Sequence, residues 1–145
     1  MTLKLAPTPL VAILRGVRPD EAEAIAAAIV EAGFGAIEVP LNSPEPLASI
    51  ARIALRFGER VLVGAGTVLE PHEVDDVAEA GARLVVSPNA DRAVIERAAK
   101  LGLIVLPGVA TMTEAFEALG VGAHAAAPRA AARGLFRIAR DGGLL

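Results

Sequence analysis

The chain has 145 residues, 54% of them hydrophobic, a net charge of −3, two histidines and no cysteine. This is the length of one domain, and the lack of cysteine excludes disulfides, thiolate catalysis and zinc–thiolate sites, while two histidines make a histidine-rich metal site unexpected. With no apolar run near the roughly 18 residues of a membrane span, no signal-peptide pattern and a mildly acidic body, we expect a cytoplasmic protein without membrane or nucleic-acid partners.

The predicted elements alternate between strand and helix along the chain. The strands, with the loops that follow them, lie at 10–16, 36–40, 61–67, 83–89 and 103–108, and the helices at 19–32, 45–57, 71–79, 92–100 and 113–119. A sixth strand near residue 125 is only weakly indicated. Regular alternation of this kind requires right-handed βαβ units and a parallel sheet.

Each predicted strand ends in a different polar, Gly or Pro cluster, whereas the loops at the opposite ends are short and stopped by glycine. The clusters are Arg15-Gly16, Glu38, Gly66-Thr67, Ser87-Pro88-Asn89 and Pro107-Gly108. In parallel sheets, whether closed barrels or open doubly wound sheets, chemistry lies at the carboxyl ends of the strands. The sequence therefore predicts a site at that edge.

Glu38 is the most informative residue because it interrupts the short apolar run Ala36–Val39. A glutamate is almost never fully buried unless it is paired or used in chemistry. The carboxyl end of a parallel strand is where a (β/α) barrel keeps its catalytic groups. A helix-capping or surface-turn acid is the alternative interpretation.

Arg15 and Thr67 follow two other strands and could hold an anion. A guanidinium can grip a carboxylate or phosphate bidentately, and Thr67 offers a hydroxyl and a backbone N–H. Alternatively, Arg15 faces solvent and Thr67 caps the helix that follows. The Gly64-Ala-Gly66 run is not a dinucleotide fingerprint, because Leu69 stands where the third glycine would be.

Three further features are interpreted as structural. His72 and His124 are expected to be ordinary surface or packing residues. The acidic run of Glu70, Glu73, Asp75, Asp76 and Glu79 is expected to be a solvated helix face.

Five motifs together resemble the 2-keto-3-deoxy-6-phosphogluconate aldolase family, in its order and spacing over residues 10 to about 125. They are Ala12-Ile-Leu-Arg-Gly16, Ile37-Glu-Val-Pro-Leu-Asn-Ser-Pro44, Val63-Gly-Ala-Gly-Thr-Val-Leu69, Val86-Ser-Pro-Asn89 and Leu106-Pro-Gly108. Arg15 with Pro40-Leu41-Asn42-Ser43-Pro44 favours the branch that acts on the galactonate epimer. The gluconate branch, which usually has an arginine where Asn42 stands, is the alternative.

The resemblance implies a (β/α)8 TIM barrel that performs class I retro-aldol cleavage without metal or other cofactor. The substrate would be 2-dehydro-3-deoxy-6-phosphogalactonate, and the products pyruvate and glyceraldehyde 3-phosphate. Glu38 matches the family's general acid/base, Arg15 and Thr67 match groups at the pyruvate carboxylate, and Pro88 lines the same pocket. A homotrimer is implied for the full-length family.

The sequence departs from the family pattern where the lysine that forms the Schiff base is expected, at or beside Ala127. The only lysines are Lys4 and Lys100, and neither is expected to reach the site. Arginine cannot replace the amine, because its guanidinium stays protonated. We therefore expect the chain to be inactive in this cleavage.

The predicted architecture is an incomplete barrel of about five to six βα units, formed by residues 1–127. A complete barrel typically needs about 200–250 residues. Residues 128–145 are Ala/Arg-rich, with four arginines against one aspartate, and match nothing in the family pattern. Within them, 135–140 are expected to form an isolated helical stretch. We interpret the sequence as a truncated or frameshifted aldolase.

The sequence is also compatible with two other functions. One is a non-catalytic fragment that keeps the Arg15, Glu38 and Thr67 half-pocket or a contact surface for another subunit. The other is a different phosphate-handling barrel that uses Glu38 in another way, which would stay active without the lysine.

Overall fold

A computed structural model describes residues 8–128, and it contains six strands and five helices. The strands are β1 (Thr8–Ile13), β2 (Phe34–Pro40), β3 (Leu62–Gly66), β4 (Leu84–Ser87), β5 (Ile104–Val109) and β6 (Ala127–Pro128). The helices are α1 (Pro19–Glu31), α2 (Pro46–Phe57), α3 (Pro71–Glu79), α4 (Arg92–Lys100) and α5 (Met112–Gly120). The strictly alternating order confirms the sequence prediction.

The strands form one sheet in the order β1-β2-β3-β4-β5-β6, and every neighbouring pair is parallel. Sequential neighbours that are all parallel need a long crossover in every connection, usually a helix, and the five helices supply these crossovers. This is part of a TIM-barrel-like α/β fold, as predicted. The weakly indicated sixth strand is present as a two-residue element, β6.

Proline sets the beginning of three of the helices. Pro19, Pro46 and Pro71 are the first residues of α1, α2 and α3. Proline suits this position because its fixed φ is helical and its missing N–H would have no partner there. These helices therefore begin close to where the sequence predicts.

The two faces of the sheet are packed differently. Alternate strand residues point to opposite faces, and the large apolar core joins one set of them, including Ile37, Val39 and Val63, to the helices. We call this side the outer face. The other set forms a separate, smaller cluster made only of strand residues: Ala36, Leu84 and Ile104, with Val11, Leu62, Val86 and Leu106 packed against them. We call this side the inner face.

The acidic run on α3 is more than a solvated surface. Glu70 is the N-cap of the helix, and the Glu73 carboxylate accepts from the backbone N–H groups of Leu69 and Glu70. Asp75 accepts from Arg97 Nε of α4 at 2.9 Å. The five acids remain exposed or half-buried, so the predicted solvated face is present, and the cap and the ion pair are additional roles that the sequence alone does not show.

Some predictions fall outside the described residues. Lys4 and the helical stretch predicted at 135–140 lie there, as does nearly all of the Ala/Arg-rich tail. None of the helices in residues 8–128 has the length and hydropathy of a membrane span.

Candidate functional site

Glu38 lies two residues before the carboxyl end of β2, where it pairs with Ile13 of β1 and Gly64 of β3. Because Ile37 and Val39 pack into the outer core, alternation places the Glu38 side chain on the inner face. It is only 3% exposed, and its Oε2 has no hydrogen-bond partner among the described residues. This position excludes the alternative of a capping or surface-turn acid.

Burial raises the pKa of Glu38 from 4.5 to about 7, and the nearby positive charge of Arg15 lowers it in part. Desolvation disfavours the charged carboxylate, and an opposite charge favours it; here desolvation is the larger effect. A carboxyl group that titrates near neutral pH can both accept and donate a proton there. Perturbed groups of this kind are concentrated at functional sites.

Arg15 lies two residues after the end of β1 and is exposed, but its charge acts on Glu38. Two contacts join its loop to the loop after β2. The backbone N–H of Gly16 donates to Ser43 Oγ at 3.0 Å, and Arg15 Nη1 donates to Asn42 Oδ1 at 3.4 Å. Because the two loops are tied together, the guanidinium is held beside the strand that carries Glu38.

Thr67 follows β3 and adopts a left-handed backbone conformation, with φ of +60°. This conformation is costly for a β-branched residue, and such strain is concentrated at functional sites. The helix cap suggested as an alternative for Thr67 is wrong, since α3 begins at Pro71 with Glu70 as its N-cap.

Pro88 is exposed and follows β4, in the same row of strand ends as Arg15 and Thr67. The end of β5 packs closely against it: a Cβ on Gly108 would lie 2.5 Å from the Pro88 carbonyl oxygen. The structure therefore places Arg15, Thr67 and Pro88 along one edge of the sheet, with Glu38 beneath that edge on the inner face. Their roles at a ligand stay predictions.

Other candidate groups lie away from this edge. His72 is exposed on α3, and His124 Nδ1 accepts the backbone N–H of Val105 at 3.2 Å, which is a structural role. Lys100 is exposed at the end of α4, which lies near the amino ends of the strands because α4 runs back to the start of β5. Across residues 8–128, no group of three or more His, Asp or Glu side chains could hold a metal ion.

The sequence did not indicate two of the contacts that shape the site. One is the bond from Gly16 to Ser43. The other is the contact between Gly66 and the Glu38 carboxylate. Both depend on how neighbouring strands are aligned, which the motifs that contain Ser43 and Gly66 do not reveal by themselves.

The site combines a buried carboxyl group of near-neutral pKa with an arginine and a strained threonine at the carboxyl edge of a parallel sheet. The family model described as "Aldolase: KDPG and KHG aldolase" matches residues 1–132. The chain belongs to the KDPG and KHG aldolase family. This confirms the family resemblance predicted from its motifs.

Individual aldolases are similar over most of the chain. It is 53% identical over 117 residues to the 2-dehydro-3-deoxy-6-phosphogalactonate aldolase of Escherichia coli (strain K12), covering 81% of the chain and 57% of that protein. The structure titled "Native KDPGal structure" superposes with a TM-score of 0.81 at 52% identity, covering 83% of this chain and 58% of that one. The chain thus spans little more than half the length of these aldolases.

A KDPG aldolase is more distant in sequence. The enzyme of Legionella pneumophila, solved with pyruvate captured as a covalent carbinolamine intermediate, superposes with a TM-score of 0.73 at 31% identity, covering 81% of this chain and 57% of that one. The higher identity to the galactonate enzyme agrees with the branch predicted from Arg15 and residues 40–44.

Proposed function

We propose that this chain supplies the proton-transfer and pyruvate-binding side of a class I aldolase site. The observation that carries the proposal is Glu38: a carboxyl group on the inner face, almost fully buried, with a pKa of about 7 and an arginine close enough to lower it. A group that exchanges protons near neutral pH is what the carbinolamine and retro-aldol steps require.

The ligand follows from the family and from the charges at the strand ends. We propose 2-dehydro-3-deoxy-6-phosphogalactonate as the substrate that this site serves, with pyruvate and glyceraldehyde 3-phosphate as products. Arg15 and Thr67 hold the carboxylate of the pyruvate portion, and Pro88 lines the pocket beside it. Glu38 moves protons at the carbinolamine and at the substrate hydroxyl. The gluconate epimer is the alternative substrate.

Class I cleavage also needs an amine, because the protonated imine accepts the electrons of the breaking C3–C4 bond. Lys100 lies toward the other edge of the sheet, and Lys4 is outside the described residues. We therefore propose that the chain by itself binds pyruvate without forming an imine and does not cleave the sugar acid.

Two measurements on the purified chain test this proposal. Ligand-observed NMR with pyruvate is expected to show binding, and an Arg15→Ala variant is expected to bind several-fold more weakly because the guanidinium contact is lost. Borohydride reduction with pyruvate followed by intact mass spectrometry is expected to show no adduct. A coupled assay for pyruvate release is expected to give no turnover.

Each outcome bears on a separate part of the proposal. An Arg83→Ala variant is the matched control, since Arg83 is exposed immediately before β4, at the opposite ends of the strands, and should leave pyruvate binding unchanged. No binding by the unmodified chain would contradict the half-site. A reduced pyruvate adduct, or turnover at an enzymatic rate, would show that the inactivity proposed here is wrong.

A second candidate function, a non-catalytic assembly module, is favoured by one observation. Met112, Phe116 and Leu119 on α5 are 71%, 69% and 46% exposed, and their i, i+4, i+7 spacing forms an apolar stripe. Such a stripe is typical of a contact surface. Light scattering of the chain and of a Met112→Lys/Phe116→Lys variant tests it: a monomer in both cases would contradict assembly. The homotrimer and the cytoplasmic location stay predictions.

A further inference from the structure

The Glu38 carboxylate lies directly over Gly66, the last residue of β3. A Cβ built on Gly66 would meet Oε2, Cδ and Oε1 of Glu38, the last at 2.5 Å, and no other group comes as close. Real Cβ atoms essentially never approach a neighbour to less than 3.0 Å. The volume that any side chain at position 66 would need is therefore already filled by the carboxylate.

Backbone conformation does not explain this glycine. Gly66 does not have a positive φ. Gly16 is the opposite case, because its φ is +77° and a Cβ built on it would meet nothing within 4 Å. An alanine could adopt the Gly66 backbone without strain. Position 66 has to lack a side chain because the Glu38 carboxylate occupies the space beside it.

We infer that Gly66 is a positioning residue: by lacking a side chain, it keeps the Glu38 carboxylate in its buried place beneath the carboxyl edge of the inner face. The role in chemistry rests on the function proposed above, but the placement itself does not. A Cβ at position 66 would force the carboxylate to rotate away from β3. A carboxylate that leaves its desolvated place regains water, and its pKa then falls toward the ordinary glutamate value.

A double-mutant cycle tests whether Gly66 acts through Glu38. At pH 4, where Glu38 is protonated in the folded and the unfolded chain, Gly66→Ala is expected to lower the melting temperature in the unmodified chain, and to lower it by less than half as much in a Glu38→Ala background, where the clashing carboxyl group is gone. Gly64→Ala is the matched control. Its Cβ would meet the side chain and carbonyl of Leu84, so its penalty should be equal in both backgrounds.

A pH titration gives the readout that a merely structural glycine would not change. In the 13C NMR spectrum of the Glu-labelled chain, the Glu38 carboxyl resonance is expected to titrate near pH 7. In Gly66→Ala the midpoint is expected to fall by about one unit or more. An unchanged midpoint, or an equal thermal penalty with and without Glu38, would overturn the inference.

The test stays decisive if Gly66→Ala does not fold. In that case Glu38→Ala/Gly66→Ala is expected to fold as well as Glu38→Ala alone, and failure of the double variant would contradict the inference. Neither readout uses substrate or pyruvate. Evidence against the proposed function would therefore not contradict the positioning role of Gly66. Evidence against that positioning role would likewise not contradict the proposed function.

Discussion

The outer and inner faces of the sheet are built from alternate residues of the same strands, yet they are filled differently. On the outer face, Ile37 and Val39 are fully buried against the helices. On the inner face, the residue between them is Glu38, and two of its neighbours on β3 are Gly64 and Gly66.

Successive residues of a strand point to opposite faces of the sheet. Residues that stabilise the fold and residues proposed for chemistry therefore alternate along the same strand. A packed apolar core contributes most of the free energy of folding. A buried carboxyl group without a hydrogen-bond partner opposes it when charged. Substitutions on the outer face should therefore change stability and leave the Glu38 titration intact, whereas substitutions on the inner face and at its carboxyl edge should change the titration or ligand binding.

The largest effect is expected from Ile53→Ala on α2. Ile53 is 0% exposed in the outer core, so the cavity should lower the free energy of unfolding by about 3 kcal/mol. Leu55 lies on the same helix but is 91% exposed, and Leu55→Ala should change it little. Urea unfolding measures both. Equal losses in the two variants, or a displaced Glu38 midpoint in Ile53→Ala, would contradict the separation of the faces.

The second effect is a dependence of stability on pH that comes from the inner face. The Glu38 pKa is about 7 in the folded chain and 4.5 without burial, so the folded state binds the proton more tightly. The free energy of unfolding should therefore fall as the pH rises from 4.5 to 7, by about 3 kcal/mol, and level off above that range. Urea unfolding at several pH values measures this slope.

Glu38→Gln is the control for the pH dependence, because the amide is neutral at every pH and similar in shape. Its free energy of unfolding should stay nearly constant between pH 4.5 and 7. If Glu38→Gln kept the full fall in the free energy of unfolding between pH 4.5 and 7, other titrating groups would be its cause. The idea that the inner face opposes folding when Glu38 is charged would then be wrong.

The outer face was largely predictable from the sequence, and the inner face was not. The predicted bounds of α3 and α4 agree with the structure, because Pro71 at the first position of α3, Asp91 at the N-cap of α4 and the glycine that follows each helix act locally. Gly66 lies under Glu38 only because Pro40, two residues beyond Glu38, pairs with Gly66 in the register of β2 and β3. No local pattern in one strand shows which residue of the next strand it meets.

A smaller effect is expected at the loops that hold Arg15. Ser43→Ala removes the acceptor for the Gly16 N–H and should lower the free energy of unfolding by about 1 kcal/mol. Pyruvate binding should also weaken, because the Arg15 loop loses an anchor. Ser49→Ala is the matched control: Ser49 is buried within α2, and its Oγ has no hydrogen-bond partner among the described residues. Its removal should cost little and leave binding unchanged.

The two serine variants are expected to differ in stability and in pyruvate binding. A loss of stability in Ser49→Ala that matches Ser43→Ala would show that packing, rather than the bond to Gly16, explains the effect. Unchanged pyruvate binding in Ser43→Ala would remove the link between the loop contact and the site.

The smallest effect should have the opposite sign. Thr67 has a left-handed φ of +60°, a conformation that favours glycine. Thr67→Gly should relieve about 1 kcal/mol of strain, and the greater entropy of glycine in the unfolded chain should offset part of this gain. The melting temperature should therefore rise slightly. Thr111 makes the contrast: its φ is −129° and its side chain accepts from the Glu114 N–H as an N-cap, so Thr111→Gly should lower the melting temperature. Weaker pyruvate binding in Thr67→Gly alone would tie the strain at the carboxyl edge to ligand contact. A destabilised Thr67→Gly would mean that neighbouring contacts, rather than function, hold that conformation.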